Sequence, residues 1–384
     1  MARSISRFLV PSLGLVALGG IALAACQNYE FEQVTPKAFG AVTEDIVITG
    51  KMLPPYIMLV VDKSGSMLDP AFSGSTTSKW DDLLSAFSDP ANGFLPKSGG
   101  LARFGLALYP SAAGCDPGAV SVSLNADHSN VDTIITQLEA VAPEGGTPTA
   151  LTLQNAAEDA ALVNEEPGRL RFVMLLTDGL PNCNPSPENQ ARCDACNANH
   201  AVCRDLSQNG CMPTYGTDPE EPCDLWAAPK GSDCLDEQGT ADVIATLRKS
   251  GIETFVIGFG DDFGGDGHRV LNRAAEAGGR AREGEAKYFK AANKEELIKA
   301  LEKIIEETQQ CTFVIDPAPT SEDIFQVVLY DSQSGTEEVL TKGSEWRLPS
   351  ADLKTVEILD DRCTMIKNAQ PDRYKLRFKY ASNL

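Results

Sequence analysis

Three short stretches carry the residues whose types could do chemistry. They are Asp62-Lys63-Ser64-Gly65-Ser66, Gly145-Gly146-Thr147-Pro148-Thr149 and Thr177-Asp178-Gly179. Asp62, Ser64, Ser66, Thr147 and Asp178 together offer two carboxylates and three hydroxyls. This is a hard, all-oxygen donor set, suited to Mg²⁺, Mn²⁺ or Ca²⁺ over zinc. One such ion per chain is expected, with Mg²⁺ first and Mn²⁺ or Ca²⁺ left open.

The elements that must position these residues can be read from periodicity. Tyr56–Val61 is a continuous apolar run ending directly at Asp62, and Phe172–Leu176 runs into Thr177-Asp178. Phe104–Tyr109 and Thr254–Phe259 are similar, and such runs suit strands buried on both faces. Helical patterns lie between them. One covers Asp132–Val141, after a cap at Ser129 or Asn130, and another Pro148–Val163, with Pro148 in the first turn. Thr240–Ser250 stops at Gly251. Asn293–Glu307 opens with a capping box, Asn293 to Glu296, and puts Leu297, Leu301, Ile304 and Ile305 on one face. Strands alternating with helices predict an α/β fold with a mostly parallel sheet covered on both sides. Ligands of such sheets gather beyond the carboxyl ends of the strands. Asp62 and Asp178 should therefore enter one crevice, with Thr147 arriving on the loop that opens the intervening helix. Gly65 is expected to permit the tight loop between the serines.

In this order and spacing, D-K-S-G-S, G-G-T-P-T and L-L-T-D-G resemble the von Willebrand factor type A (VWA) domain with its metal-ion-dependent adhesion site. The later stretches V-I-G-F-G and L-N-R-A-A-E-A-G-G are similar to the family's ending. The resemblance implies a three-layer, Rossmann-like VWA domain over residues 51–310, interrupted by an insertion at 181–239. It implies that Ser64 and Ser66 hold the ion by their hydroxyls, and Thr147 directly or through water. Asp62 and Asp178 would hold coordinating waters, or ligate directly in one state. An open position would then accept an Asp or Glu of a protein partner. Neutral hydroxyls agree with this, since they cancel little of the ion's charge.

Residues 181–239 lack periodicity and hold seven of the eleven cysteines. Within them Cys193, Cys196, His200 and Cys203 have zinc-like spacing, but an exported chain with an even remainder of ten cysteines favours disulfides. Cys115 and Cys183 both follow strands near the metal face, where a bond between them would brace the rim. The acidic, glycine-rich stretch Asp261–Gly267 is read as a solvated loop. After Cys311 the runs Phe325–Tyr330, Val356–Leu359 and Tyr374–Tyr380 predict a small all-β module over 311–384, in which Cys311 and Cys363 pair. Catalysis has little support. There are three histidines, no H-E-x-x-H or G-x-S-x-G, and no base beside Ser64 or Ser66. The formal charge of −21, with no basic face, argues against nucleic acid as a partner. The expectation is thus a binding module and not an enzyme. The alternatives are a structural subunit of an envelope or secretion assembly, or a metal-dependent hydrolase.

Arg3 and Arg7 precede an apolar run from Phe8 to Ala25, closed by Leu23-Ala24-Ala25-Cys26. A charged n-region, an apolar h-region and a small-residue site ending in Cys resemble the bacterial lipoprotein signal. This implies a signal peptide over 1–25, acylation of Cys26, and a tether over 26–50. Two or more acyl chains make a durable membrane anchor. An uncleaved membrane helix is the rival, weakened by Pro11, Gly14, Gly19 and Gly20. Gln27, in place of Asp after the lipidated Cys, favours the outer membrane or cell surface of a bacterial envelope. Cys26→Ser is expected to leave the precursor uncleaved at this site and without fatty acid. Mass spectrometry of the wild-type N-terminus checks this, and an unmodified Cys26 there would contradict it.

Overall fold

The computed structural model describes residues 48–49, 51–164, 166, 168–184, 236–261, 263–309, 311–316, 325–349, 353–368 and 373–380, with single positions 187, 318 and 351. Cys26 and the Cys193, Cys196, His200 and Cys203 cluster lie outside them.

Two short strands come first, β1 (Ile48–Thr49) and β2 (Lys51–Met52). Strand β3 (Tyr56–Asp62) follows, with all its side chains buried. Its residues alternate between two cores, as the pleat requires. Ile57, Leu59 and Val61 pack with Leu83, Phe87, Phe94, Leu301 and Ile304 on one side. Met58 and Val60 pack with Leu153, Ile244, Leu247 and Leu271 on the other. The chain then runs through α1 (Lys79–Ser88) and α2 (Phe94–Ser98) to β4 (Arg103–Tyr109) and β5 (Ala119–Val122). Helices α3 (Val131–Glu139), α4 (Thr149–Ala157) and α5 (Ala160–Val163) lead to β6 (Arg171–Thr177). After the insertion come α6 (Glu237–Lys249), β7 (Ile252–Phe259), α7 (Gly264–Gly278), β8 (Phe289–Ala291) and α8 (Lys294–Thr308).

The sheet order is β5-β4-β3-β6-β7-β8. All pairs are parallel except β4 with β5. This is the three-layer α/β architecture expected from the alternating pattern. From β3 the chain moves outward to β4 and β5, then returns to β6 on the other side of β3. The boundary between β3 and β6 is therefore the switch point at which such sheets open a crevice.

Some elements differ from the sequence reading. The helix expected over Pro148–Val163 breaks at Asp159, whose carboxylate accepts from Ala161 N at 3.0 Å and from Leu124 N at 3.3 Å. A short carboxylate that bonds nearby backbone competes with helix propagation and caps a new helix instead. The stretch read as a loop at 261–267 supplies the start of α7 at Gly264. Its glycines hide a helix that is held by its later buried face, Val270, Leu271, Ala274 and Ala275.

The remaining strands are β9 (Thr312–Val314), β10 (Phe325–Asp331), β11 (Thr336–Val339), β12 (Trp346–Arg347), β13 (Thr355–Ile358) and β14 (Tyr374–Tyr380). They form two antiparallel sheets, β1-β14-β10-β11 and β12-β13-β9-β2. Phe313, Val327, Trp346, Val356 and Phe378 fill the space between them. Cys311 and Cys363 are disulfide-bonded, with Cα atoms 5.5 Å apart. Two features depart from an all-β module made of residues 311–384. A helix, α9 (Asp360–Asn368), follows β13. Residues 48–49 and 51–52, which the sequence reading divides between tether and VWA domain, are strands of this module. β1 and β2, of two residues each, have no pattern of their own and pair with partners more than 250 residues away.

Candidate metal site

Strand register brings the first carboxylate and its neighbours together. Val61 is level with Leu176 across the β3–β6 pair, so Asp62 ends its strand beside Thr177, with Asp178 one residue further. Asp62 is fully buried. Its Oδ1 accepts from Ser64 N at 2.8 Å, and its Oδ2 accepts from the Thr177 hydroxyl at 2.7 Å. Among the described residues no basic side chain pairs with it. Ser64 Oγ lies 3.1 Å from Ser66 Oγ, and Ser66 Oγ donates to Asp178 Oδ1 at 2.9 Å. The two serines, one on either side of Gly65, thus link the ends of adjacent strands.

Thr147 comes to the same place on a loop with several anchors. Gly65 N donates to Gly145 O at 2.9 Å, and Gly146 N to Gly114 O at 2.8 Å. Thr147 N donates to Asn182 Oδ1 at 3.2 Å. A Cβ on Gly179 would lie 3.6 Å from Ser66 Oγ and 4.0 Å from Thr147 Oγ1, so both hydroxyls converge on that point. All five expected residues are therefore neighbours.

The tight loop between the serines does not require glycine at 65; the position that does require it is Gly145, on the Thr147 loop. A Cβ on Gly65 would meet Gly145 O at 3.5 Å, an ordinary contact, whereas Gly145 has φ +77° and its Cβ would strike Gly114 O at 2.8 Å. Cys115 and Cys183 form a disulfide with Cα atoms 5.3 Å apart. A Cβ on Gly146 would lie 2.7 Å from Cys183 Sγ, so the bond sits against the Thr147 loop.

Sequence reasoning missed four contributors: Thr177, Asn182, Gly114 and Lys79. Lys79 Nζ donates to Asp178 Oδ2 at 2.8 Å and to Ser66 O at 3.3 Å. One signal for Lys79 was available. It opens a helix that has a Ser78–Asp81 capping box, and a cation is disfavoured at a helix N-terminus unless something else holds it there.

Residues 57–180 match the family model of the von Willebrand factor type A domain. That segment is a von Willebrand factor type A domain. No curated protein matches the chain. Among solved structures, a pilus adhesin from Lactobacillus rhamnosus GG is 16% identical with a TM-score of 0.45. The match covers 85% of this chain and 39% of the adhesin. The von Willebrand factor domain of a type V pili tip protein from Porphyromonas gingivalis is 15% identical with a TM-score of 0.42, over 67% of this chain and 95% of that one. The protein BatB from Bacteroides thetaiotaomicron is 13% identical with a TM-score of 0.37, over 66% and 98%.

The residues of this VWA domain fit a hard cation. Among the described residues no three His, Cys, Asp or Glu side chains gather at one point, so an ion here would depend on the serine and threonine hydroxyls. Burial, then the neighbouring Asp178, pushes the Asp62 carboxyl up to about 7. Burial also pushes Asp178 up, against the pull of the Lys79 ammonium. Burial, and after it Asp62, raises the Tyr109 phenol well above its usual range. A buried carboxylate that lacks a cation reverts toward the neutral acid.

This dictates a pH dependence. Asp62 titrates near 7 in the folded chain against an ordinary 3.8. Between those values the folded state keeps a proton that the unfolded state has lost, so stability falls as pH rises through this window. In EDTA the wild type is expected to be less stable at pH 8 than at pH 5, by on the order of a few kcal/mol, and Mg²⁺ should offset the loss. Asp62→Asn should flatten the dependence. Denaturant titrations at both pH values check this, and equal wild-type stability in EDTA would contradict it.

Proposed function

We propose that the VWA domain binds a protein partner through one divalent cation, Mg²⁺ first among the candidates, held by Asp62, Ser64, Ser66, Thr147 and Asp178. The observation that carries this reading is Asp62, a fully buried carboxylate with no basic partner among the described residues, beside a second buried carboxylate. Burying such charges is costly unless a cation meets them. Ser64 and Ser66 would hold the ion by their hydroxyl oxygens, and Thr147 directly or through water. Asp62 and Asp178 would supply charge through water or directly. When bound, the cation would supply a Lewis-acid position that an Asp or Glu of the partner completes. The surroundings favour a protein ligand: Leu68 and Phe72, exposed by 59% and 40%, lie on the loop that follows Ser66.

The same reading places the chain in a bacterial cell envelope, held to the membrane through lipid at Cys26, with no nucleic-acid partner. It is a binding module and not an enzyme. Ser66 does stand beside a base that the sequence reading did not find, donating to Asp178 Oδ1 at 2.9 Å, but the Lys79 ammonium on Asp178 Oδ2 competes for that carboxylate's charge.

Asp178→Ala is expected to weaken Mn²⁺ binding about a hundredfold, because it removes one of the two negative charges at the site. Ser64→Ala should weaken it less, about tenfold, since water replaces a neutral hydroxyl. Calorimetry reads the ion, and circular dichroism should show both variants folded. Pull-downs from envelope extract should recover a partner in Mg²⁺ and lose it in EDTA. Recovery that is unchanged by EDTA and by Asp178→Ala would overturn the ion-bridged reading in favour of a structural subunit.

A further inference from the structure

Lys79 is a cation inside the crevice that the chemistry of the five oxygen donors does not call for. Its place is built. Its amide donates to Asp69 O at 2.9 Å, and Pro70 bridges Ser78, which closes the loop before α1. That loop is pinned to the end of β7 where Asp261 N donates to Ala71 O at 3.0 Å. The Lys79 stem passes over Gly260, where a Cβ would lie 3.4 Å from Cε. Its side chain is 12% exposed, and that of Asp178 is fully buried. The ammonium bonds Asp178 Oδ2 and Ser66 O, which leaves Asp178 Oδ1 as the oxygen turned to the Ser66 hydroxyl.

We propose that Lys79 is a resident counter-charge that weakens the site's hold on a bare divalent cation and strengthens its hold on an incoming carboxylate. This inference rests on the proposed function. The charge balance carries it. The nearby Lys63 is met by Glu144 at 3.6 Å, so Asp62, Asp178 and Lys79 decide the balance. With Lys79 present and both carboxyls ionised, as a cation in the site would keep them, the protein groups carry one net negative charge. A divalent ion leaves the site one positive charge in excess, which a partner's carboxylate neutralises. Without Lys79, the two aspartates alone would neutralise the ion, and the carboxylate would enter a site already balanced. Coulomb attraction of this size is not fully screened in a buried site. Lys79 thus makes retention of the ion conditional on the partner.

The test is Mn²⁺ titration of the full chain by calorimetry, for wild type, Lys79→Met, Lys79→Gln and Lys79→Arg, with folding followed by circular dichroism. Lys79→Gln keeps a donor for Asp178 and serves if Lys79→Met does not fold. Both neutral variants should bind Mn²⁺ about tenfold more tightly or better, and Lys79→Arg should match the wild type. Acetate, added to the Mn²⁺-loaded proteins and read by water proton relaxation, should displace bound water at several-fold lower concentration in the wild type than in Lys79→Met. Neutral variants that bind Mn²⁺ no more tightly than the wild type would overturn the inference and leave the proposed function standing. Uptake by the neutral variants alone, with none by the wild type, would support the opposing role of Lys79 and overturn the proposed function. No uptake by any of the four would overturn both.

Discussion

Two carboxyl groups held out of water at one point, with an ammonium paired to only one of them, are what the rest of the site depends on. Asp62 sits at the end of β3 and Asp178 just beyond the end of β6, both buried. Only Asp178 is paired with a lysine. Burial raises both carboxyls, and the neighbouring Asp178 adds to it for Asp62, which is pushed up to about 7. Apolar side chains of similar size in place of such buried charges are often neutral or stabilising, so packing alone does not call for the charges. Keeping the charges makes sense where a cation completes them.

The scaffold spends much of its structure on keeping those oxygens together. β3 and β6 are adjacent parallel strands buried on both faces, so neither can slip without turning its whole apolar set. Thr177 ties one strand end to the other through Asp62. The Thr147 loop is fastened at Gly145 and Gly146, and the Cys115–Cys183 disulfide lies against it. Three separate chain segments therefore meet with few free degrees of motion, as positioned donors require. The β module closes around both ends of the α/β domain, because β1 and β2 precede that domain and pair with β14 and β9, which follow it.

Much of this was legible in the sequence for identifiable reasons. β3 and β6 show as unbroken apolar runs because both faces are covered, and the candidate donors stand directly at their ends. The amphipathic face of α8 is explicit in Leu297, Leu301, Ile304 and Ile305, all buried. Other parts had weaker signals. β5 is an edge strand with one buried side chain of four, and α7 begins among glycines. Lys79 bears on the site through a loop closed by Asp69 and Pro70 and through the bare surface of Gly260. Those are tertiary facts with no local periodicity. The helix around Lys79 was within reach, since its Ser78–Asp81 capping box and the spacing of Trp80, Leu83 and Phe87 mark it.

The most direct measurement of the central claim is anomalous diffraction at the manganese edge from crystals of the protein soaked in Mn²⁺. The account predicts one peak, at the place where Asp62, Ser64, Ser66, Thr147 and Asp178 meet. It also predicts loss of that peak in Asp178→Ala. Crystals that show no peak at this place, or a peak only elsewhere on the acidic surface, would contradict it.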